Sequence, residues 1–228
     1  MLSKAGYRLL PAVCLICGGF ADAKMDCCSG CAADLPVARH ACIRCGLTLH
    51  VAGKLCGRCS RRPPAFDRAW AGYAYHHALQ VLIRRFKFQR NLAAGRVLAA
   101  LTARRLVALG AHRPQALVPV PLHWRRELWR GFNQSRLLAG DLSAQLGQIP
   151  VLEALRRVRA TRAQSGLKAV ERRRNLRGAF GVTGRLHGLR HVALVDDVMT
   201  TGTTLAICAA ALKNAGVGRV DVWMVARA

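Results

Sequence analysis

VALVDDVMTTGTT, residues 192–204, is a short apolar run that delivers two adjacent carboxylates, Asp196 and Asp197, into a turn rich in threonine and glycine. The run HVALV (His191 to Val195) is apolar enough for a strand buried on both faces, and TTLAICAAALKNAG (Thr203 to Gly216) carries a helical pattern closed by Gly216. Between them Thr200, Thr201, Thr203 and Thr204 supply hydroxyls, and Gly202 lets backbone amides approach an anion at the positive end of the helix. Two carboxylates beside a phosphate cradle repel phosphate alone. They make sense if they accept hydrogen bonds from vicinal sugar hydroxyls or hold a metal-bound water. An ordinary strand–loop–helix with solvated aspartates is the bland alternative, but the whole thirteen-residue order is more specific than a threonine-rich turn. Both carboxylates are expected at an exposed strand end, where neutralising the pair would bury no unpaired charge.

Outward from this stretch, strand-length and helix-length patterns alternate. Ala69 to Tyr75 reads as a strand and HALQVLIRRFKF as a helix; Leu92 to Leu109 is a long helix ending near Gly110. Ala116 to Leu122 is a short buried strand, Asn133 to Gly147 a helix, and Arg219 to Ala226 a final strand. Such alternation predicts a mainly parallel sheet with helices on both faces, whose ligands bind at the carboxyl ends of the strands.

Ahead of this half, nine of the ten cysteines fall between Cys14 and Cys59, and eight form four C-x-x-C pairs: Cys14/Cys17, Cys28/Cys31, Cys42/Cys45 and Cys56/Cys59. Two intervening residues let a tight turn aim both thiolates at one cation, and two turns complete a tetrahedral shell. Ten residues separate Cys17 from Cys28 and ten separate Cys45 from Cys56, which reads as two successive zinc ribbons holding two structural zinc ions. A redox dithiol would need one pair at a strand-to-helix turn, not four in series. Whether Cys27 or Cys28 is the ligand, and whether knuckles pair across ribbons, the spacing leaves open. His40 and His50 lie near the knuckles as surface residues. Pro63-Pro64 favours an extended linker, so the expected division is a double zinc ribbon over 1–62 and an α/β domain over 63–228. Metal removal is then expected to loosen the first part and leave the sheet intact.

With 36 Lys plus Arg against 11 Asp plus Glu, the formal charge is +25, a field that attracts polyanions such as nucleic acid or phosphorylated small molecules. An arginine-rich composition without a function is the alternative source. Aromatic residues at 6% argue against a base-stacking platform. No run approaches the roughly 18 apolar residues that span a bilayer, and MLSKAGYRLLPAVC reads poorly as a signal peptide, so a cytoplasmic location with metal-bound rather than disulfide-bonded cysteines is expected.

Two more segments bear on function. VPVPLHWRRELWRGFNQS (Val118 to Ser135) places a strand end, a proline turn and a loop that carries Arg125, Arg126 and Arg130, whose forked donors suit phosphate oxygens. From Arg156 to Arg177 the chain carries nine basic residues and one acid, Glu171, a stretch that otherwise reads as a solvated basic face. Together with the cysteine pairs and the VDDVMTTGTT loop, these segments resemble the ComF family, competence-associated phosphoribosyltransferase-like proteins of bacteria, over nearly the whole chain. The thirteen-residue loop is similar to that of type I phosphoribosyltransferases.

That resemblance implies a double zinc ribbon followed by a type I phosphoribosyltransferase-like domain that binds phosphoribosyl pyrophosphate with Mg²⁺. By it, Asp196 and Asp197 bind the ribose 2- and 3-hydroxyls, Thr200, Thr201, Gly202, Thr203 and Thr204 hold the 5-phosphate, and Arg159 to Asn175 form a loop that closes over the site. It also implies a role in DNA uptake with single-stranded DNA and a helicase-like partner. Leu128-Trp129 departs from the family, where many members carry another basic residue. No residue stands out as a general base; His123 lies in the right loop, and the acceptor stays open. A protein that binds nucleic acid or senses a ligand without turnover is the rival reading.

Overall fold

The computed structural model describes residues 12–21, 25–37, 40–51, 55–122, 124–158, 179–184, 186 and 188–228, the side chain of Arg126 excepted. His123, the loop over Arg159 to Asn175 and the arginines Arg172, Arg173 and Arg174 lie outside the described residues.

Four strands form one parallel sheet in the order β1 (Arg68–Ala74), β6 (Arg219–Arg227), β5 (His191–Met199), β2 (Ala116–Pro119). Parallel strands need crossovers, and amphipathic helices supply them. α3 (His77–Phe88) buries Leu79, Leu82, Ile83 and Phe86, spaced to form one stripe. α4 (Leu92–Ala108) is capped by Asn91, whose side chain accepts from the Ala94 amide, and α6 (Gln134–Gln145) is capped by Asn133. These three helices cover one face of the sheet and α7 (Thr203–Asn214) covers the other, so the apolar core is split into two clusters. Two short strands, β3 (Leu155–Arg157) and β4 (Phe180–Val182), make an antiparallel pair that the sequence reading did not anticipate. Another difference is α5 (Trp124–Arg130), a seven-residue helix where a loop was expected.

The ribbons do not hang from the sheet; they grip its β1 edge from both sides. Cys14, Met25, Cys27 and Leu35 of the first ribbon share a core with Trp70, Tyr73 and Leu98. Cys42, Cys45, Cys56 and Cys59 of the second share the opposite core with Phe66, Ala69 and Met224. The Ala74 amide on β1 donates to the Pro36 carbonyl at 2.9 Å, and Arg44 of the second ribbon donates to the Phe66 and Asp67 carbonyls at 3.1 and 2.8 Å. An edge strand left open invites pairing with another chain, and here the ribbons cover it.

Inside the sheet one carboxylate is fully buried. Asp221 on β6 accepts from Trp70 Nε1 at 3.1 Å and from Arg219 Nε and Nη2 at 3.0 Å each, with His191 Nε2 3.3 Å away. Burial favours its neutral form, but the donors from His191, Arg219 and Trp70 outweigh it and hold the carboxyl down at about 2. A depressed carboxyl contributes stability above its unfolded value and loses it as pH falls towards the folded one. Asp221→Asn is therefore expected to cost about 2–3 kcal/mol near neutral pH in denaturant unfolding, with the gap to wild type closing between about pH 4 and pH 2. A gap that stays constant over that window would assign the cost to packing instead.

Candidate functional site

The four cysteine pairs come together as two separate groups, Cys14, Cys17, Cys28 and Cys31 in one and Cys42, Cys45, Cys56 and Cys59 in the other, each with all sulfurs within 4.8 Å of one another. A tetrahedral zinc with bonds of about 2.3 Å has sulfur–sulfur edges of about 3.8 Å. Cys17 and Cys28 Sγ lie 3.9 Å apart, and Cys45 and Cys56 Sγ lie 3.7 Å apart, so the donor sets fit the ion without rearrangement. In each ribbon the second knuckle opens a one-turn helix, α1 (Ser29–Ala33) after Cys28 and α2 (Gly57–Arg61) after Cys56. Burial works against ionising Cys14 and Cys42, yet backbone amides aimed at their sulfurs bring the two thiols down to about 6 and about 7. Cys28, not Cys27, joins the first group; Cys27 is buried against the sheet with its Sγ 3.5 Å from the Cys28 carbonyl. Knuckles pair in chain order, never across ribbons.

At the other pole, β2 runs beside β5 only as far as the Pro119–Val195 register, whereas β5 continues along β6 to Met199 opposite Arg227. Asp196 and Asp197 lie in this overhang, within the strand rather than beyond it. Successive strand side chains point to opposite faces, so the two carboxylates meet different surroundings. Asp197 turns into the α3/α4/α6 face, only 3% exposed, where its Oδ1 accepts from the Val198 amide at 2.7 Å and its Oδ2 lies 2.6 Å from Lys87 Nζ. Asp196 Oδ1 accepts from Ser135 Oγ at 3.0 Å and the Asp197 amide at 2.9 Å, while its Oδ2 takes no hydrogen bond from any described residue. Burial and the neighbouring Asp197 charge push the Asp196 carboxyl up to about 7. The expectation of both carboxylates at an exposed strand end is thus corrected for Asp197, which is buried in an ion pair with Lys87, while Asp196 keeps an open acceptor.

Lys87 is the residue that the sequence reading missed. It sits four residues after Ile83 and eight after Leu79, on the flank of the apolar stripe of α3, and a lysine there was the available signal. Desolvation opposes its charge, but the Asp197 carboxylate more than compensates and keeps it protonated.

After Met199 the chain makes the threonine turn. Gly202 takes φ +72°, and a Cβ there would lie 3.1 Å from Met199 Sδ, so only glycine sits without strain. Thr201 and Thr203 hydroxyls are 3.0 Å apart, and the first turn of α7 holds no acidic residue. Arg227 ties this turn to the second ribbon: its Nη1 donates to the Met199 carbonyl at 3.0 Å and its Nε to the Cys45 carbonyl at 3.2 Å. Between ribbon and turn lies a cavity of about 350 Å³.

Of the three arginines of the Val118 to Ser135 segment, Arg130 and Arg125 have different neighbours, and the side chain of Arg126 lies outside the described residues. Arg130 donates to Gln134 Oε1, lies over the Phe88 ring and faces Lys87 closely enough to oppose its charge. Arg125 is exposed and stacks over Trp124 instead. Asn133 fastens the segment by donating to the Val120 carbonyl at 3.2 Å. Of the ribbon arginines, Arg58 is exposed, while Arg44 is spent on the Phe66 and Asp67 carbonyls. Among the described residues no helix is long and apolar enough to cross a membrane.

A family model described as a double zinc ribbon domain matches residues 7–60. Over 224 residues the chain is 38% identical to Competence protein F of Haemophilus influenzae, covering 94% of this chain and 96% of that protein. It is 36% identical over 223 residues to DNA utilization protein YhgH of Salmonella typhimurium, and 38% identical over 226 residues to YhgH of Escherichia coli K12, covering 96% of this chain and 98% of the relative in both cases. A purine phosphoribosyltransferase from Pyrococcus horikoshii overlaps 57% of this chain and 80% of its own at 19% identity with a TM-score of 0.34, too loose an overlap to speak to function. Identity of this depth over nearly the full length of both partners is enough to assign the chain: it belongs to the ComF family, that of Competence protein F and DNA utilization protein YhgH.

Proposed function

We propose that the α/β domain, residues 63–228, binds phosphoribosyl pyrophosphate with Mg²⁺ at the carboxyl end of β5, and that the chain serves DNA uptake, as the names of its relatives suggest. The observation that carries the first part is the pairing of an open carboxylate acceptor, Asp196 Oδ2, with a glycine-hinged threonine turn at the start of α7. On this reading Asp196 accepts hydrogen bonds from the ribose hydroxyls, and Asp197, whose oxygens are taken by Lys87 and the Val198 amide, fixes the strand end that presents it. Thr200, Thr201, Gly202, Thr203 and Thr204 wrap the 5-phosphate at the positive end of the helix. Arg130, with Arg125 and Arg126, serves the pyrophosphate side, where forked donors steady the departing charge. Magnesium bound with the donor would neutralise pyrophosphate charge, a role for which these oxygen-rich surroundings suit a hard cation. Transfer of the phosphoribosyl group to a nucleophile would then pass through an oxocarbenium-like state whose sugar Asp196 orients. The cysteine groups are proposed to hold one structural zinc each.

The donor reading is tested by calorimetric titration with phosphoribosyl pyrophosphate and Mg²⁺. Ionised Asp196 is the better acceptor, and its carboxyl titrates at about 7, so affinity is expected to rise from pH 6 to pH 8. Asp196→Asn should lose that rise and at least tenfold in affinity (about 1.4 kcal/mol) without unfolding the chain. Asp197→Asn is the poorer probe, because it strands the buried Lys87 ammonium. Wild-type affinity in Asp196→Asn at both pH values would remove the basis of the assignment.

Zinc has its own test. Protein purified under reducing conditions without chelator should carry two zinc ions, one per cysteine group. Because both groups share the cores of the sheet, chelation is expected to lower the melting temperature of the whole chain, not of the N-terminal part alone. An unchanged melt of the α/β half after complete metal release would restore the picture of an independent module.

The nucleic-acid side of the proposal rests on the +25 charge. Single-stranded DNA should bind with little sequence preference, and four to six phosphate contacts should give a log–log salt slope of about −3 to −4. A slope near zero at moderate salt would leave composition as the source of the charge.

A further inference from the structure

The cavity between the second ribbon and the threonine turn, about 350 Å³, has a volume in the range of small-molecule pockets. Its walls differ in chemistry. Leu47, Pro63 and Ile207 give it an apolar side, and Thr201 and Thr203 of the turn also line it. Arg58, Arg62 and Arg227 line it as well, and among the described residues no acid does. Arg227 is already committed to the Met199 and Cys45 carbonyls. Arg58 and Arg62 are both exposed, and among the described residues neither has a carboxylate partner. Four residues apart across the single turn of α2, they share a face, and both border the cavity. Arg58 is also near enough to Arg227 to oppose its charge. Cations gathered around a partly apolar pocket without an acid call for an anionic ligand with an apolar body. An inorganic anion would leave the apolar side unused, and an apolar ligand would leave the arginines without a counter-charge.

We propose that this cavity binds one nucleoside phosphate unit, with its phosphate on Arg58 and Arg62 and its base against Leu47, Pro63 and Ile207. Forked guanidinium donors suit phosphate oxygens, and a base offers flat faces that pack on apolar and arginine surfaces. A free mononucleotide and the end of a strand present the same chemistry, and a pocket at the small end of the usual range holds one unit rather than several. This is a second site, apart from the proposed sugar site: Asp196 does not line it, and on the donor reading the threonine turn is the wall that the two share. The competing use of the two arginines is to offset the negative charge of a zinc tetrathiolate.

Calorimetric titration of the zinc-loaded full-length protein with thymidine 5′-monophosphate tests this; its sugar lacks the 2-hydroxyl that the donor site would read. Arg58→Gln with Arg62→Gln should weaken binding at least about tenfold, and Asp196→Asn should leave it unchanged. Phosphoribosyl pyrophosphate should show the reverse pattern, which separates this site from the donor site. Unchanged zinc content and melting temperature show that the arginine variant is folded. Ala206→Phe, which fills the cavity from α7 without touching the ribbon or its charge, should weaken nucleotide binding as well. A 5′-phosphorylated oligodeoxythymidylate that the mononucleotide displaces identifies a strand end as the occupant, and one that it does not displace identifies the free nucleotide. No binding by the wild type at millimolar nucleotide overturns the site, as does wild-type affinity in the arginine and Ala206→Phe variants. Zinc lost from the arginine variant with nucleotide affinity kept would assign both arginines to the thiolates alone. Nucleotide binding abolished by Asp196→Asn would place the nucleotide at the sugar site instead.

Discussion

Two neighbouring carboxylates on a buried strand need a cation, and Lys87 supplies it. Its ammonium lies 2.6 Å from Asp197 Oδ2 inside the sheet–helix core, and Asp196 is left to face the crevice beyond β2. The pair depends on packing further away. Gly95 on α4 lies under Phe86 of α3 so closely that a Cβ would sit 2.6 Å from the ring, and that contact settles α3 at the depth from which Lys87 reaches β5. Removing one partner of such a buried pair costs about 3–5 kcal/mol, more than either side chain repays by packing alone. The site geometry is therefore anchored in the core, not in the loops around it.

The zinc ribbons belong to the same constraint. A four-stranded parallel sheet has two edges, and β1 is one of them. Cysteine knuckles in tight turns offer little apolar surface of their own, so each ribbon borrows a core from one face of the sheet and covers the edge in return. Arg227 makes the exchange specific. One guanidinium near the end of β6 holds both the Cys45 carbonyl of a knuckle and the Met199 carbonyl from which the threonine turn departs. Burial disfavours the charge there, and nearby Cys45 favours it, which fits a cation fixed between two backbone groups.

Much of this was legible in the residues. Paired cysteines at equal spacing gave the ribbons because metal geometry leaves few alternatives, and the apolar run into Asp196-Asp197 gave the strand and turn because a buried strand followed by glycine and threonine has few other uses. What was not legible depends on contacts between distant segments. Lys87 lies in a helix read only for its apolar stripe, and nothing local says that its amine meets Asp197, 110 positions later. β3 and β4 are three residues each and gain their identity from pairing with one another across residues 158–179. α5 lies in a segment read as an arginine-bearing loop after the proline turn, although WRRELWR has no helix breaker.

The double character of α5 follows from that short stretch. Its inner side brings Arg130 to Gln134 and towards Lys87, so it belongs to the carboxylate crevice. Trp124, Leu128 and Trp129 on the same helix are exposed.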